Sequence, residues 1–316
     1  MLLTEKDLIR SLRVRSGRAT GVIGIGDDCA SVRIPPGHEA LVTTDFSLED
    51  VHFRRKMQPL QSIGHRCLLR GLSDIAAMGG EPLAVFLSLA LPATLPQSWI
   101  DEFLGGLLKL AKKFGVTLAG GDTAKSPAKI LADIVVLGCV PRGKAILRSG
   151  ARPGDRIFVT GTLGAAATTL RVLLQGQGKK IPTADLKSYL YPIPRIEVGR
   201  SLRKKRLASA MIDISDGLST DLAHMCEESG VGAEINGEAI PRESAAGKIS
   251  DLRLALHGGE DYELLFTSSA KTRMPAKIAN VSITEIGRIV RGREIKLTIN
   301  NKTTRLIPQG WEHFRK

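Results

Sequence analysis

Residues 210–217 read Ala210-Met211-Ile212-Asp213-Ile214-Ser215-Asp216-Gly217, a short apolar run that closes on two aspartates, a serine and a glycine. The apolar part predicts a buried β-strand, and the residues after Gly217 predict a helix over 218–228. Carboxylates beside small residues offer oxygen ligands to a hard divalent cation and leave backbone that a phosphate can approach closely. The stretch therefore predicts a strand, a loop and a helix that together carry a metal or phosphate site.

Four other clusters repeat this combination of acids with glycine, serine or threonine. They are Gly26-Asp27-Asp28, Thr43-Thr44-Asp45, Gly120-Gly121-Asp122 and Gly258-Gly259-Glu260-Asp261, with Asp74 alone on a predicted helix. Each cluster by itself is more often a turn or a helix cap. Predicted strands at 40–45, 116–119 and 262–266 adjoin three of them, so we expect the clusters at strand ends and their carboxylates on one rim. Such a rim favours several Mg²⁺ ions on a polyphosphate.

Length and turn residues predict two domains. The 316 residues exceed one typical domain, and residues 141–155 combine proline, glycine and four basic residues. We therefore divide the chain into residues 1–145 and residues 146–316. After a predicted strand at 156–160, Gly161-Thr162-Leu163-Gly164 resembles a phosphate loop but lacks the GxxxxGK[ST] motif, so an ordinary helix cap is the alternative.

The charge balance raises nucleic-acid binding as an alternative function. Forty-five basic against 32 acidic residues give a net charge of +13, but only 4% of residues are aromatic and no RRM or zinc-finger signature is present. A solvated basic face that attracts anionic substrates is the favoured interpretation, with no nucleic-acid partner.

The chain shows no apolar run of the ~18 residues that a membrane span needs, and its N-terminus is charged where a signal peptide is apolar. We therefore expect a cytoplasmic protein with no membrane partner. The four cysteines, Cys29, Cys67, Cys139 and Cys226, form no CxxC pair, so we expect buried free thiols.

The ordered motifs resemble those of the thiamine-monophosphate kinase family. That family belongs to the superfamily of aminoimidazole ribonucleotide synthetase, selenophosphate synthetase and a hydrogenase maturation protein. The matching stretches are Gly24-Ile25-Gly26-Asp27-Asp28-Cys29-Ala30, Thr43-Thr44-Asp45, His52-Phe53, Leu72-Ser73-Asp74-Ile75-Ala76-Ala77-Met78-Gly79, Gly120-Gly121-Asp122-Thr123, Asp213-Ile214-Ser215-Asp216-Gly217-Leu218 and Gly258-Gly259-Glu260-Asp261-Tyr262-Glu263-Leu264.

The resemblance implies Mg²⁺-dependent, in-line transfer of a phosphoryl group from ATP to thiamine monophosphate, giving thiamine diphosphate. It assigns the Mg²⁺ ligands as Asp28, Thr43, Thr44, Asp45, Asp74, Asp122, Asp213 and Asp216. It assigns ATP contacts to Gly121, Asp122, Arg148 and Ser215, and substrate contacts to His52, Glu260 and Trp311. No general base is certain, and none is demanded when the acceptor phosphate is already an anion.

The resemblance also implies the fold and the assembly. The expected class is α+β: two α/β sandwich domains, of which the N-terminal one binds ATP and Mg²⁺ and pairs in a homodimer through a barrel-like sheet. The C-terminal domain is expected to be a mixed-sheet sandwich that completes the nucleotide and substrate site. One departure is Gly71, where the family commonly has asparagine before Leu-Ser-Asp.

For three of the assigned residues, a purely structural or solvent-exposed role is the alternative to a ligand contact. Taken alone, His52 would be a surface or capping histidine, Arg148 would be solvated, and Trp311 would pin the C-terminal segment to the core. A different member of the superfamily, with another acceptor, and a non-enzymatic nucleic-acid-binding module are the competing functions.

Overall fold

The computed structural model describes residues 5–17, 20–26, 28–176, 183–242, 244–245, 248–249 and 251–314. Asp27 of the first acidic cluster lies outside these residues. The chain forms two compact units, the first made of residues 1–75 and 80–143, and the second of residues 76–79 and 144–316. Both units combine helices with a mixed sheet, so the fold class is α+β.

The first unit is built on a four-stranded sheet in the order β3-β6-β4-β5, in which only the β4–β5 pair is parallel. Its elements are α1 (Glu5–Ser16), β1 (Val22–Ile23), β2 (Ser31–Val32), β3 (His38–Leu48), α2 (Leu60–Ala77, whose last two residues fall in the second unit), β4 (Glu81–Pro92), α3 (Gln97–Lys113), β5 (Thr117–Ser126) and β6 (Leu131–Pro141).

Helices α2 and α3 pack closely because glycines stand at their crossing. A Cβ on Gly64 would lie 1.8 Å from the Phe103 carbonyl oxygen, and a Cβ on Gly106 would lie 1.8 Å from that of Gln61. Trp99 and Phe103 of α3 are buried, and their rings stack with centroids 5.2 Å apart, so both aromatics belong to the core of the first unit.

Two acidic clusters lie inside strands, which corrects the expectation that they stand at strand ends. Thr43-Thr44-Asp45 occupies the middle of β3, and Gly120-Gly121-Asp122 the middle of β5. Strand β5 continues past its glycines because a bulge at Ala119 keeps the β4–β5 pairing in register beyond that residue. The expectation holds for Asp213 to Gly217 at the end of β8, while residues 258–261 immediately precede β12.

The second unit contains an eight-stranded sheet in the order β16-β15-β9-β14-β7-β12-β8, with β13 paired to β14. Its elements are β7 (Arg156–Thr160), α4 (Ala165–Leu174), α5 (Thr183–Leu190), α6 (Ile196–Lys204), β8 (Ala210–Ile214), α7 (Leu218–Ser229), β9 (Gly232–Asn236), β10 (Ser244–Ala245), β11 (Lys248–Ile249), α8 (Leu252–His257), β12 (Glu263–Ser268), β13 (Lys277–Ile278), β14 (Val281–Val290), β15 (Ile295–Ile299) and β16 (Lys302–Arg305).

Strands β8 and β12 position the chemistry of this unit. They pair antiparallel from Ile214 opposite Glu263 to Ala210 opposite Thr267, and every residue of both strands is buried. Leu218 and Leu222 of α7 and Ala255 and Leu256 of α8 join the same hydrophobic core. The core therefore fixes the point at which β8 ends and its loop begins.

Adjacent glycines of α3 provide a matched test of the helix crossing. We expect Gly106→Ala to lower the free energy of unfolding by about 1–3 kcal/mol, because the new methyl group overlaps the Gln61 carbonyl. A Cβ on Gly105 would meet nothing within 4 Å, so Gly105→Ala should raise stability by about 0.5–1 kcal/mol through helix propensity. Chemical denaturation of the two variants decides, and equal effects would contradict the crossing.

Candidate active site

In the first unit, strand alternation sends Thr43 and Asp45 to the face that α2 covers. The Thr43 hydroxyl donates a hydrogen bond to the Asp74 carboxylate of α2, so two predicted Mg²⁺ ligands are in direct contact. Burial is the main reason why the pKa of the Cys67 thiol is raised to about 12. The Asp45 carboxylate lies close enough to Cys67 to raise this pKa as well. Thr43 and Asp74 therefore form an oxygen-rich pair, and Asp45 lies on the same face of β3, beside Cys67.

Gly71 lets α2 approach the sheet beside this pair. A Cβ there would stand 2.5 Å from Cγ2 of Val136 and 3.5 Å from Cγ2 of Thr43. The departure from asparagine thus has a packing reason in this chain, since a larger side chain would displace β6 or the helix that carries Asp74.

Thr44 points to the opposite face of the sheet. Its hydroxyl donates to the Asp133 carboxylate on β6 over 2.8 Å. The structure therefore separates the Thr44 side chain from those of Thr43 and Asp45, its two neighbours in the sequence. Sequence reasoning missed Asp133, although an aspartate within an otherwise apolar strand was an available signal.

Asp122 is exposed on β5, and its Oδ1 accepts a hydrogen bond of 2.8 Å from the Thr123 backbone N–H. The preceding Gly121 adopts φ +149°, and a Cβ on it would lie 1.8 Å from the Leu87 carbonyl oxygen of β4. Glycine is therefore required at position 121 by the strand pairing itself, independently of any nucleotide.

Asp28 is exposed, and a basic residue lies beside the turn that precedes it. A Cβ on Gly26 would stand 2.7 Å from Cζ of Arg13, so the Arg13 guanidinium covers this glycine. Sequence reasoning did not single out Arg13, because a contact between α1 and this turn has no local sequence signal.

His52 lies just beyond the end of β3, which ends at Leu48, and has a structural role there. Its Nδ1 accepts a hydrogen bond of 3.0 Å from the Leu48 backbone N–H, which places the proton of a neutral ring on Nε2. This hydrogen bond fits the alternative of a capping histidine. A substrate contact through the rest of the ring stays a prediction.

In the second unit, most of the predicted site residues lie in, or next to, the segment Ser215-Asp216-Gly217, which is termed here the acidic loop. The Glu260 N–H donates to the Ser215 carbonyl over 2.8 Å, and the Trp311 N–H donates to the Asp216 carbonyl over 3.0 Å. Asp213 is buried within β8, two residues before the loop. The structure therefore brings predicted metal, nucleotide and substrate residues together.

Asp221, which sequence reasoning missed, is buried and accepts hydrogen bonds from the backbone of the acidic loop. Its Oδ2 accepts the N–H groups of Asp216 (3.2 Å) and Gly217 (3.0 Å). Burial, followed by the nearby carboxylates of Asp213 and Asp216, raises the pKa of Asp221 well above its ordinary value. Its position one turn into α7 made a cap-like role recognisable, but the neighbouring acids depend on the tertiary fold.

The conformation at residues 258–262 requires its glycines. A Cβ on Gly259 would lie 2.6 Å from the Ser215 carbonyl oxygen, and one on Gly217 would lie 2.9 Å from the His257 carbonyl carbon. Glu260 and Tyr262 both adopt positive φ, at 70° and 52°. Strained backbone at non-glycine residues is concentrated at functional sites, which supports a role for this turn.

Arg148 is not beside the acidic loop. Its carbonyl accepts a hydrogen bond from Oγ of Ser229, the last residue of α7, whereas the acidic loop precedes the first. At 1.5 Å per residue the helix separates the Arg148 backbone from the loop by roughly 17 Å. An ATP contact at Arg148 stays a prediction that the second unit by itself does not support.

The glycine-rich turn before α4 is capped by a side chain. Asp261 accepts the backbone N–H groups of Gly164 at 2.8 Å and Ala166 at 3.4 Å. The carboxylate occupies the position that a phosphate would take at this helix N-terminus, so the cap interpretation is correct and the phosphate-loop interpretation is wrong.

The oxygen ligands present suit Mg²⁺ better than a metal that takes all of its ligands from the protein. Within the described ranges, no group of three or more His, Cys, Asp or Glu side chains is arranged to hold a metal ion. Mg²⁺ bound to nucleotide phosphates needs only one or two carboxylates and keeps its waters, so smaller groups such as Thr43 with Asp74 fit it.

Cys67, Cys139 and Cys226 are buried free thiols as expected, whereas Cys29 is exposed.

Residues 26–140 and 152–300 match the N-terminal and C-terminal domains of AIR synthase related proteins, which defines the class. Thiamine-monophosphate kinase of Escherichia coli K12 is 38% identical over 314 residues, covering 96% of this chain and 95% of the relative. The chain belongs to the thiamine-monophosphate kinase family.

Two solved structures extend this likeness to three dimensions. Thiamine-monophosphate kinase from Stenotrophomonas maltophilia K279a superposes with a TM-score of 0.82 at 35% identity, covering 94% of this chain and 97% of the other. AaThiL complexed with AMPPCP and TMP gives 0.79 at 31% identity, covering 99% of both chains. Among the residues described, no helix is both long and apolar enough to cross a bilayer.

Proposed function

We propose that this chain transfers the γ-phosphoryl group of ATP to thiamine monophosphate and releases ADP and thiamine diphosphate. Curated relatives with that activity match it over nearly their whole length. AaThiL, which matches along 99% of this chain, holds AMPPCP, an ATP analogue, together with TMP. A phosphate acceptor is therefore paired with a nucleotide donor in a relative of the same architecture.

The observation that carries the proposal is the meeting of Glu260 and Trp311 at the acidic loop. Both residues donate a backbone N–H to that loop, which carries Ser215 and Asp216. The three residues of the acidic loop thus include proposed contacts of ATP and Mg²⁺, and they also hold the backbone of the two proposed substrate contacts. Holding the two reactants in a fixed geometry is the main contribution that a protein makes to phosphoryl transfer.

The proposed Mg²⁺ ligands are Asp28, Thr43, Thr44, Asp45, Asp74 and Asp122 of the first unit and Asp213 and Asp216 of the second. For Thr44, whose hydroxyl is bonded to Asp133, we propose a role through its backbone carbonyl. Bound Mg²⁺ supplies charge neutralisation for the transferring phosphoryl group.

The remaining assigned residues bind and orient the two reactants. Gly121, Asp122, Arg148 and Ser215 are the proposed ATP contacts, with residues of both domains, 1–145 and 146–316, contributing. Glu260, His52 and Trp311 are the proposed contacts of thiamine monophosphate, and the exposed indole of Trp311 suits stacking on a heteroaromatic ring or a thiazolium cation. The acceptor phosphate is anionic, so the proposal needs no general base.

A turnover assay with two carboxylate variants tests the function. Purified protein with ATP, Mg²⁺ and thiamine monophosphate should produce thiamine diphosphate, measured by chromatography. Asp122→Asn should lower kcat about 100-fold or more, because a ligand of the phosphate-bound ion is lost. Asp101→Asn, an exposed acid of α3 in a surface ion pair with Arg15, should stay within about twofold. Absence of thiamine diphosphate with the unaltered protein would refute the proposal.

We also propose that the active form is a homodimer joined through the sheet of the first unit in a barrel-like arrangement. The face opposite α2 exposes Val42 at 67% and Phe46 at 55%, and Phe86, Val135 and Leu137 on the same face are half-buried. An exposed face on which apolar side chains cluster in this way marks a protein interface. A second copy of the chain would cover it.

Sedimentation velocity tests the assembly. The unaltered chain should sediment at twice the chain mass, and Phe46→Lys should shift it to the monomer at micromolar concentration, because a buried unpaired charge opposes association. Ile23→Lys, which changes an apolar residue 60% exposed on β1, is the control and should leave the mass unchanged. A monomeric unaltered protein, or a dimeric Phe46→Lys variant, would contradict the proposed interface.

A further inference from the structure

Three consecutive backbone N–H groups of the C-terminal segment donate to one small region of the second unit. Gln309 donates to Oγ of Ser219 (3.4 Å), Gly310 to Oγ1 of Thr220 (3.1 Å) and Trp311 to the carbonyl of Asp216 (3.0 Å). Two of the acceptors are hydroxyls of the first turn of α7. Residues 309–311, termed here the tail segment, are therefore held by side chains that flank the acidic loop.

The tail segment lies so close to the loop that a side chain at its centre is excluded. A Cβ on Gly310 would stand 2.2 Å from the Asp216 carbonyl oxygen and 2.5 Å from Oγ1 of Thr220. The close approach places the backbone of Trp311 at the same carbonyl. A side chain at position 310 would therefore push the tail segment away from the acidic loop.

The first turn of α7 also holds the other two site segments. Ser219 is fully buried, and its hydroxyl is 2.8 Å from Nδ1 of His257, three residues before Glu260. Asp221 accepts the N–H groups of Asp216 and Gly217. Three successive side chains, of Ser219, Thr220 and Asp221, therefore connect the tail segment, the Glu260 turn and the acidic loop.

The indole of Trp311 depends on this backbone docking for its position. The residue is 53% exposed, so the core does not pin it, and its ring meets His313 edge-on within the same C-terminal stretch. A half-exposed aromatic can stack on a ligand with little entropic loss only if its backbone is already fixed.

We propose that Thr220 is a positioning residue for the acceptor substrate: its hydroxyl fixes Gly310, and so places Trp311 beside the loop that carries Asp216. Thr220 itself touches no substrate in this account. The inference rests on the proposed function, since Trp311 is a substrate contact only in that reaction. It assigns the positioning of Trp311, the proposed contact of thiamine monophosphate, to a residue of α7 that lies outside the motifs shared with the family.

The kinetic test compares Thr220→Val, which keeps the shape and removes the acceptor, with Thr220→Ser, which keeps the hydroxyl. We expect Thr220→Val to raise the KM for thiamine monophosphate about tenfold, because the Gly310 N–H loses its partner. The KM for ATP and kcat should stay within about twofold, and Thr220→Ser should behave like the unaltered protein. Thr220→Ala, with the same expected result, replaces Thr220→Val if thermal unfolding shows that valine disturbs the fold.

A spectroscopic readout needs no turnover. The chain has two tryptophans, and Trp99 is buried, so a Trp99→Phe background reports on Trp311 alone. In that background Thr220→Val should lower the fluorescence anisotropy of Trp311 and raise its quenching by acrylamide, while Thr220→Ser should change neither.

The outcomes separate the inference from the function on which it rests. If the unaltered protein makes no thiamine diphosphate, the proposed function fails, while the anisotropy still tests the docking. If it does make thiamine diphosphate and Thr220→Val leaves the KM for the acceptor and the anisotropy unchanged, the inference is wrong. A fall in kcat with an unchanged KM would also overturn it.

Discussion

The hydrogen bonds that the Asp221 carboxylate accepts from Asp216 and Gly217 are the constraint on which the site of the second unit depends. A loop at the end of a buried strand leaves backbone donors that must find partners, and a carboxylate one turn along the following helix supplies them. With the loop fixed in this way, its outward carbonyls become acceptors for Glu260 and Trp311. One buried acid therefore determines where residues distant in sequence meet.

This arrangement places a buried carboxylate beside two further acids, Asp213 and Asp216. Burial and these neighbours raise the pKa of Asp221, so the group of acids is electrostatically costly in the isolated chain. A cation would relieve part of that repulsion. The proposed binding of Mg²⁺ by Asp213 and Asp216 would draw on this group of acids, and titratable groups with shifted pKa values are common at catalytic sites.

The sequence predicted the elements well and the side-chain partners poorly, for a physical reason. The loop after β8 and the helix after it follow from local patterning, and the ordered motifs identified the family. The mid-strand position of Asp122 was missed because a bulge and a left-handed glycine keep β5 paired through a sequence that looks like a turn. That of Asp45 was missed because β3 continues beyond the acid to Leu48. Asp133 and Asp221 were missed since their importance arises from strand register and from contacts across the fold. The ATP contact that the family resemblance assigns to Arg148 stays a prediction, since the Arg148 backbone lies beside the last residue of α7 and not beside the acidic loop.

The central claim is that Asp221 fixes the acidic loop, and native-state hydrogen exchange tests it most directly. The amides of Asp216, Gly217, Glu260 and Trp311 should exchange at least about 100-fold more slowly than in an unstructured chain, as expected for hydrogen-bonded groups in a stable region. In an Asp221→Ala variant that remains folded, this protection should be lost at Asp216 and Gly217 first. Fast exchange of these amides in the unaltered protein, or unchanged protection in the variant, would contradict the account.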